Sequence, residues 1–142
     1  MTIEAIYTAH AVASGDGRNG HVASSDGLVD TDVAIPKEMG GPGGATNPEQ
    51  LFAAGYAACF HSALRIVAST EKIALGEDTT IDASVRIGAN GAGGFGLTVE
   101  LAAHLPGLTH EQAEELVAKA HQVCPYSNAT RGNIDVALST TV

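Results

Sequence analysis

An α+β fold, with antiparallel sheet segments wrapped on two helices, follows from three features of the sequence. The first third is rich in strand-forming runs broken by tight turns. A helix that is apolar nearly all round comes next, as a buried central helix should be. Two further strand-like runs, a capped helix and a last strand close the order βββ-α-ββ-α-β. The sequence contains no repeat and no dividing linker, so residues 1–142 read as a single domain, long enough to bury a core.

Residues 3–13 alternate β-formers and predict a strand. Asp16-Gly17-Arg18-Asn19-Gly20 is a turn, with a strand at His21–Ser24 after it. Asp26-Gly27 is a hairpin signal, which makes Leu28–Ile35 the third strand of an antiparallel meander. Pro36–Thr46 carries four glycines and two prolines and is a loop. Asn47 can cap a helix, Pro48 fits its first position, and Gln50 stands where a capping box places its second member. This helix becomes more polar past Arg65 and should end near Leu75-Gly76. Strands follow at Thr80–Ala89 and Phe95–His104. Thr109-His110-Glu111-Gln112 is a second capping box, and its helix is stopped by Pro125. Asn133–Ser139 reads as the last strand.

Charge and composition narrow the function. Acidic residues outnumber basic ones, 16 to 7, which argues against a nucleic-acid partner and against docking on anionic lipid. The N-terminal residues lack the basic and apolar regions of a signal peptide, and no apolar run approaches membrane-spanning length. The expected location is the cytoplasm, where a permanent disulfide is unusual and a cycling one is not. Gly91-Ala92-Gly93-Gly94-Phe95-Gly96 matches G-x-G-x-x-G, but a strand follows where a dinucleotide site needs a helix. It is a glycine-rich hairpin.

Chemistry concentrates at the two cysteines, Cys59 and Cys124. Cys59 has small neighbours, Gly55, Ala57, Ala58 and Ala63, which allow another segment to approach its sulfur. A lone cysteine in such a helix is ordinarily an inert core residue. A second one at the end of another helix opens redox chemistry instead. Attack on a peroxide requires the thiolate, and a guanidinium held against the sulfur would lower its pKa by roughly two units. Arg18, in its glycine-flanked turn, suits that role better than Arg65 or Arg86, although a turn arginine is by itself an ordinary solvated residue. Cys59, His61, His121 and Cys124 could supply a zinc set. Cys59 and His61 lie two apart on one helix and point to nearly opposite faces, so no metal site is expected. No serine sits in a nucleophile elbow.

The segment Asn47-Pro48-Glu49-Gln50-Leu51-Phe52-Ala53-Ala54-Gly55-Tyr56-Ala57-Ala58-Cys59-Phe60 resembles the hallmark of the organic hydroperoxide resistance (Ohr) branch of the Ohr/OsmC superfamily. His121-Gln122-Val123-Cys124-Pro125-Tyr126-Ser127 and Asn128-Ala129-Thr130-Arg131-Gly132-Asn133 resemble its second hallmark. Gly17-Arg18-Asn19-Gly20 and Leu28-Val29-Asp30 fit as well, and the match covers essentially the whole chain. The resemblance implies an intertwined homodimer and a thiol-dependent peroxidase acting on alkyl and fatty-acid hydroperoxides. It implies Cys59 as the peroxidatic cysteine, Cys124 as the resolving one, and Arg18 with Glu49 as the pair that activates the thiolate. It implies no bound cofactor; the reductant is a dithiol, characteristically a lipoylated protein. A carboxylate cannot itself favour a thiolate, so Glu49 would orient Arg18 through a bidentate contact. An OsmC-type enzyme of broader peroxide scope is a sister possibility. A non-catalytic redox sensor or small-molecule binding module on the same fold is the alternative of a different class.

Assembly enters through spacing. Glu49 and Cys59 lie ten residues apart on one predicted helix, about 15 Å along its axis. If both serve one thiol, they come most simply from two chains of a two-fold dimer. A sharp break in the helix near Gly55 would be the other solution.

Overall fold

The computed structural model describes residues 2–142. Two compact units meet in sequence between Leu51 and Phe52. The first holds a three-stranded antiparallel meander of β1 (Ala11–Ser14), β2 (His21–Ser24) and β3 (Asp30–Asp32). Ala11 pairs with Ser24, and His21 with Asp32. The expected first strand over 3–13 is replaced by four residues, because β2 is itself four residues long and offers β1 no longer ladder. Residues 2–10 carry exposed apolar side chains, with Ile6 99% exposed. The third strand is likewise shorter than 28–35. Its continuation leaves β2: Val33 bridges to Thr46, and the Ala34 N–H donates to the Thr46 carbonyl.

Helix α1 spans Pro48–Thr70 and runs unbroken through Gly55. Asn47 Oδ1 accepts the Gln50 N–H at 2.9 Å, the expected cap. The capping box is not closed, because Gln50 Oε1 accepts the Thr46 hydroxyl at 2.8 Å. The helix also stops earlier than Leu75-Gly76. Lys72 takes the left-handed conformation, φ 59°, and the Ile73 N–H reaches back to the Ala68 carbonyl. Lys72 N–H bonds to the Ser69 carbonyl, completing a Schellman closure. The sequence hid this stop because a lysine fills the position usually held by glycine.

The second unit packs a sheet of β4 (Thr80–Ala89), β5 (Phe95–His104) and β6 (Val136–Thr141) against helices. β4 and β5 have the expected bounds. Asn90 Oδ1 closes their hairpin by accepting the Ala92 and Gly94 N–H groups. β6 joins β5 in parallel. That departs from an all-antiparallel sheet, and the reason is the connection: two helices separate the strands, which is the crossover a parallel pair requires. α2 (His110–Val123) begins with the expected capping box of Thr109 and Gln112. Pro125 ends α2 but also opens an unforeseen helix, α3 (Pro125–Thr130), at the first position, where proline's missing N–H costs nothing. The turn after α3 moves the last strand from 133–139 to 136–141.

The core of this unit joins Tyr56, Phe60 and Leu64 of α1, Val99 and Leu101 of β5, and Leu116 and Ala120 of α2. α1 is, contrary to expectation, long and apolar enough to cross a membrane, because alanines carry its apolar character across the intervening polar residues. A core helix can have the same length and composition, and six α1 residues are buried.

Candidate active site

Cys59 lies in the middle of α1, and Cys124 at the junction between α2 and α3. Their Sγ atoms stand 3.7 Å apart, and both cysteines are free. Cys124 is fully buried, and Cys59 is half-buried. The small residues around Cys59 admit the second segment as expected. A Cβ on Gly55 would stand only 3.2 Å from the Tyr126 hydroxyl oxygen. The rings of Phe52, Tyr56 and Tyr126 cluster in the same place, with centroids 5.7 to 6.1 Å apart.

Burial pushes the Cys59 thiol above its ordinary pKa. The Tyr126 backbone amide works the other way, while Cys124 adds a further upward push. The net direction is opposite to the lowering expected of an activated thiol. These groups all belong to residues 52–142.

Arg18 and Glu49 form a bidentate pair within the first unit. Nη2 donates to Oε1 at 2.7 Å and Nη1 to Oε2 at 2.9 Å. Glu49 occupies the first turn of α1, where the helix dipole favours a carboxylate. Its bond to Arg18 holds its carboxyl below the usual range, and the same bond raises Arg18. Local structure aims the arginine. It lies in a 3-10 turn, Gly17–Asn19, and Asn19 Oδ1 accepts the Ile35 N–H at 2.9 Å. Gly20 closes the turn where any Cβ would fall 2.2 Å from the Ser14 carbonyl oxygen.

The rival cations are engaged elsewhere. Arg86 pairs with Glu100 on the exposed face of the sheet, and Arg65 bonds to His61 and to the Gly76 carbonyl. Among the described residues, no three or more His, Cys, Asp or Glu side chains are grouped to hold a metal ion. His61 meets Arg65 and His121 meets Ser127, so the Cys2His2 set does not converge.

Sequence reasoning missed a largely buried polar cluster one helical turn from the cysteines. The Tyr56 hydroxyl lies 2.8 Å from Ser127 Oγ and 3.2 Å from Thr130 Oγ1. His121 Nδ1 lies 2.8 Å from the same Ser127 oxygen. Tyr56 and Ser127 are 71 residues apart, and no periodicity in either helix marks them as partners.

The OsmC-like protein family model matches residues 41–139. An organic hydroperoxide resistance protein of Xanthomonas axonopodis pv. citri is 56% identical over 94% of each chain. The chain belongs to the Ohr branch of the OsmC-like family. A crystal structure of an organic hydroperoxide resistance protein OsmC from Legionella pneumophila matches this Ohr chain with a TM-score of 0.93. It is 60% identical, and the match covers 98% of this chain and 100% of that one. The organic hydroperoxide resistance protein OhrB of Bacillus subtilis matches with a TM-score of 0.87 at 46% identity, over 96% of this chain and 100% of that one. These matches bear out the expected family and the α+β fold. Both cysteines of this Ohr protein, and the Arg18–Glu49 pair, stand in the segments that carried the resemblance.

Proposed function

We propose that the chain is a thiol-dependent peroxidase that reduces organic hydroperoxides to alcohols, and that residues 1–142 work as one catalytic domain in a cytoplasmic homodimer. The observation that carries this is the approach of two free thiols, one half-exposed and one buried, to 3.7 Å. The Cys59 thiolate attacks the terminal oxygen of the hydroperoxide. The O–O bond breaks, the alkoxide leaves and takes a proton to become the alcohol, and Cys59 becomes a sulfenic acid. The Cys124 thiol then displaces water from that sulfenic acid to form the disulfide. A dithiol, of the lipoyl type, reduces the disulfide by exchange and is itself oxidised to its cyclic disulfide. No bound cofactor is required.

Arg18 acts as the cation that favours the thiolate, and Glu49 holds its guanidinium in plane. Burial pushes the Cys59 thiol up within its own unit, and a cation at the sulfur would offset that push. Arg18→Ala should therefore raise the thiol pKa of Cys59 and slow its oxidation by about tenfold or more at neutral pH. A thiolate titration with the same midpoint in mutant and parent would remove Arg18 from the site.

The assay that tests the activity compares cumene hydroperoxide with hydrogen peroxide, each driven by dihydrolipoamide or by a monothiol. Phe52 and Tyr126, both partly exposed, give the Cys59 side apolar surface for an alkyl tail. Turnover should be strong with the organic peroxide and the dithiol, and affinity should rise from tert-butyl to fatty-acid hydroperoxides. Preference for hydrogen peroxide would count against an apolar site. No turnover with any pair would leave the binding module.

A further inference from the structure

The hydroxyl of Ser127 is where three helices meet. It takes Tyr56 from α1 and His121 from the last turn of α2, and it belongs to α3. Ser127 and Tyr56 are both fully buried, and Thr130 is nearly so. Cys124 is the junction residue between α2 and α3, three positions after His121 and three before Ser127. The bond from His121 to Ser127 therefore spans the junction that carries the buried sulfur. Arg131 reinforces the same junction by donating to the His121 carbonyl. On the α1 side, Tyr56 lies three residues before Cys59, on neighbouring positions of the helix surface. Each cysteine is thus one helical turn from a residue bonded directly to the Ser127 hydroxyl or carrying it.

The cluster is self-consistent in its protons. When Ser127 donates to His121 Nδ1, Tyr56 donates to Ser127, and Thr130 donates to the Ser127 carbonyl. When Nδ1 carries the proton, Ser127 donates to Tyr56 and Tyr56 to Thr130. Every hydroxyl proton finds an acceptor in either direction. A largely buried network whose hydroxyls are all satisfied rigidifies the packing around it.

We infer that Tyr56, Ser127 and His121 are positioning residues for the second chemical step, holding the Cys124 junction against α1 so that the Cys59 sulfenic acid is captured as a disulfide before a second peroxide reaches it. The inference rests on the peroxidase function proposed above. The two fates of the sulfenic acid compete. In one, the Cys124 thiol attacks Cys59 Sγ, the S–O bond breaks, and water leaves. In the other, a second hydroperoxide adds an oxygen, giving the sulfinic acid and another alcohol. The sulfurs must close from 3.7 Å to the bonded distance of about 2.05 Å. That is a short swing from a held junction and an improbable encounter from a loose one. A misplacement of about 1 Å costs a reaction of this kind up to a hundredfold.

The test measures how the sulfenic acid divides between disulfide and sulfinate. Reduced protein is mixed with a series of cumene hydroperoxide concentrations, and intact mass gives disulfide and sulfinate after one exposure. This ratio does not depend on how fast Cys59 first reacts. Tyr56→Phe removes one hydroxyl and little volume, and His121→Ala removes the other anchor. Each should raise sulfinate per sulfenic acid formed by about tenfold, part of the range open to a misplaced group. His121→Asn, whose amide falls near the Nδ1 position, should restore most of the parent ratio. If the parent oxidises at Cys59 and Tyr56→Phe and His121→Ala divide as the parent does, the positioning role is overturned and the peroxidase function stands. If the parent never oxidises at Cys59, the peroxidase function falls and takes this inference with it.

Discussion

Cys59→Ser is expected to abolish peroxide turnover, with a loss on the order of a thousandfold or more. A serine hydroxyl at this place stays neutral at any workable pH, and a neutral hydroxyl does not attack the O–O bond as a thiolate does. Cys124→Ser should fail differently. It leaves the first step in place, so peroxide is reduced once and the sulfenic acid then waits with no thiol 3.7 Å away. Over-oxidation to the sulfinic acid follows as peroxide is raised. Cys124 is fully buried, so the new hydroxyl needs a partner, and leaving it without one costs about 1–3 kcal/mol. Cys124→Ala avoids that cost and should give the same single turnover. Mass spectrometry after peroxide treatment separates the cases: unmodified Cys59→Ser protein, against Cys124→Ser and Cys124→Ala protein that has gained oxygen atoms. Normal turnover by the Cys59→Ser protein would reverse the assignment of roles.

What the sequence made legible was governed by local rules. The β4 and β5 bounds, the Thr109 capping box and the Asn47 cap follow from alternation and side-chain chemistry within a few residues. The four candidate residues came from two cysteine-bearing segments and a glycine-flanked turn, and the bidentate Arg18–Glu49 contact takes the form expected of it. Errors arose where a distant partner decides. Strand length depends on the neighbouring strand, so residues 3–10 looked like a strand, although among the described residues no strand pairs with them. A proline read as a stop was also a start, because α3 needs no N–H at its first position. The Tyr56–Ser127–His121 cluster joins three helices whose separate patterns say nothing of one another. The direction of the Cys59 shift also needed the structure, since desolvation is a property of packing and not of residue type.

The second large effect concerns assembly. Ten residues separate Glu49 from Cys59 in the sequence, about 15 Å of helix rise, and a glutamate side chain spans too little of that to act at the sulfur of its own chain. The other solution was a broken helix near Gly55, and α1 is continuous there. If Arg18 and Glu49 serve Cys59, they most simply come from a two-fold partner, which would give two equivalent sites in a dimer. The decisive experiment mixes a Cys59→Ser chain, inactive alone, with an Arg18→Ala chain, slowed alone by about tenfold or more. In a mixed dimer with crossed sites, one site receives both lesions and the other receives neither. The mixture should regain up to roughly half the parent activity per mixed dimer, as two-fold symmetry requires. Sites built within single chains would each keep one lesion, and the mixture would recover nothing. Tagging the two chains differently and purifying the doubly tagged species makes the comparison per dimer. Absence of recovery in that species would return both Arg18 and Glu49 to the chain whose thiol they serve.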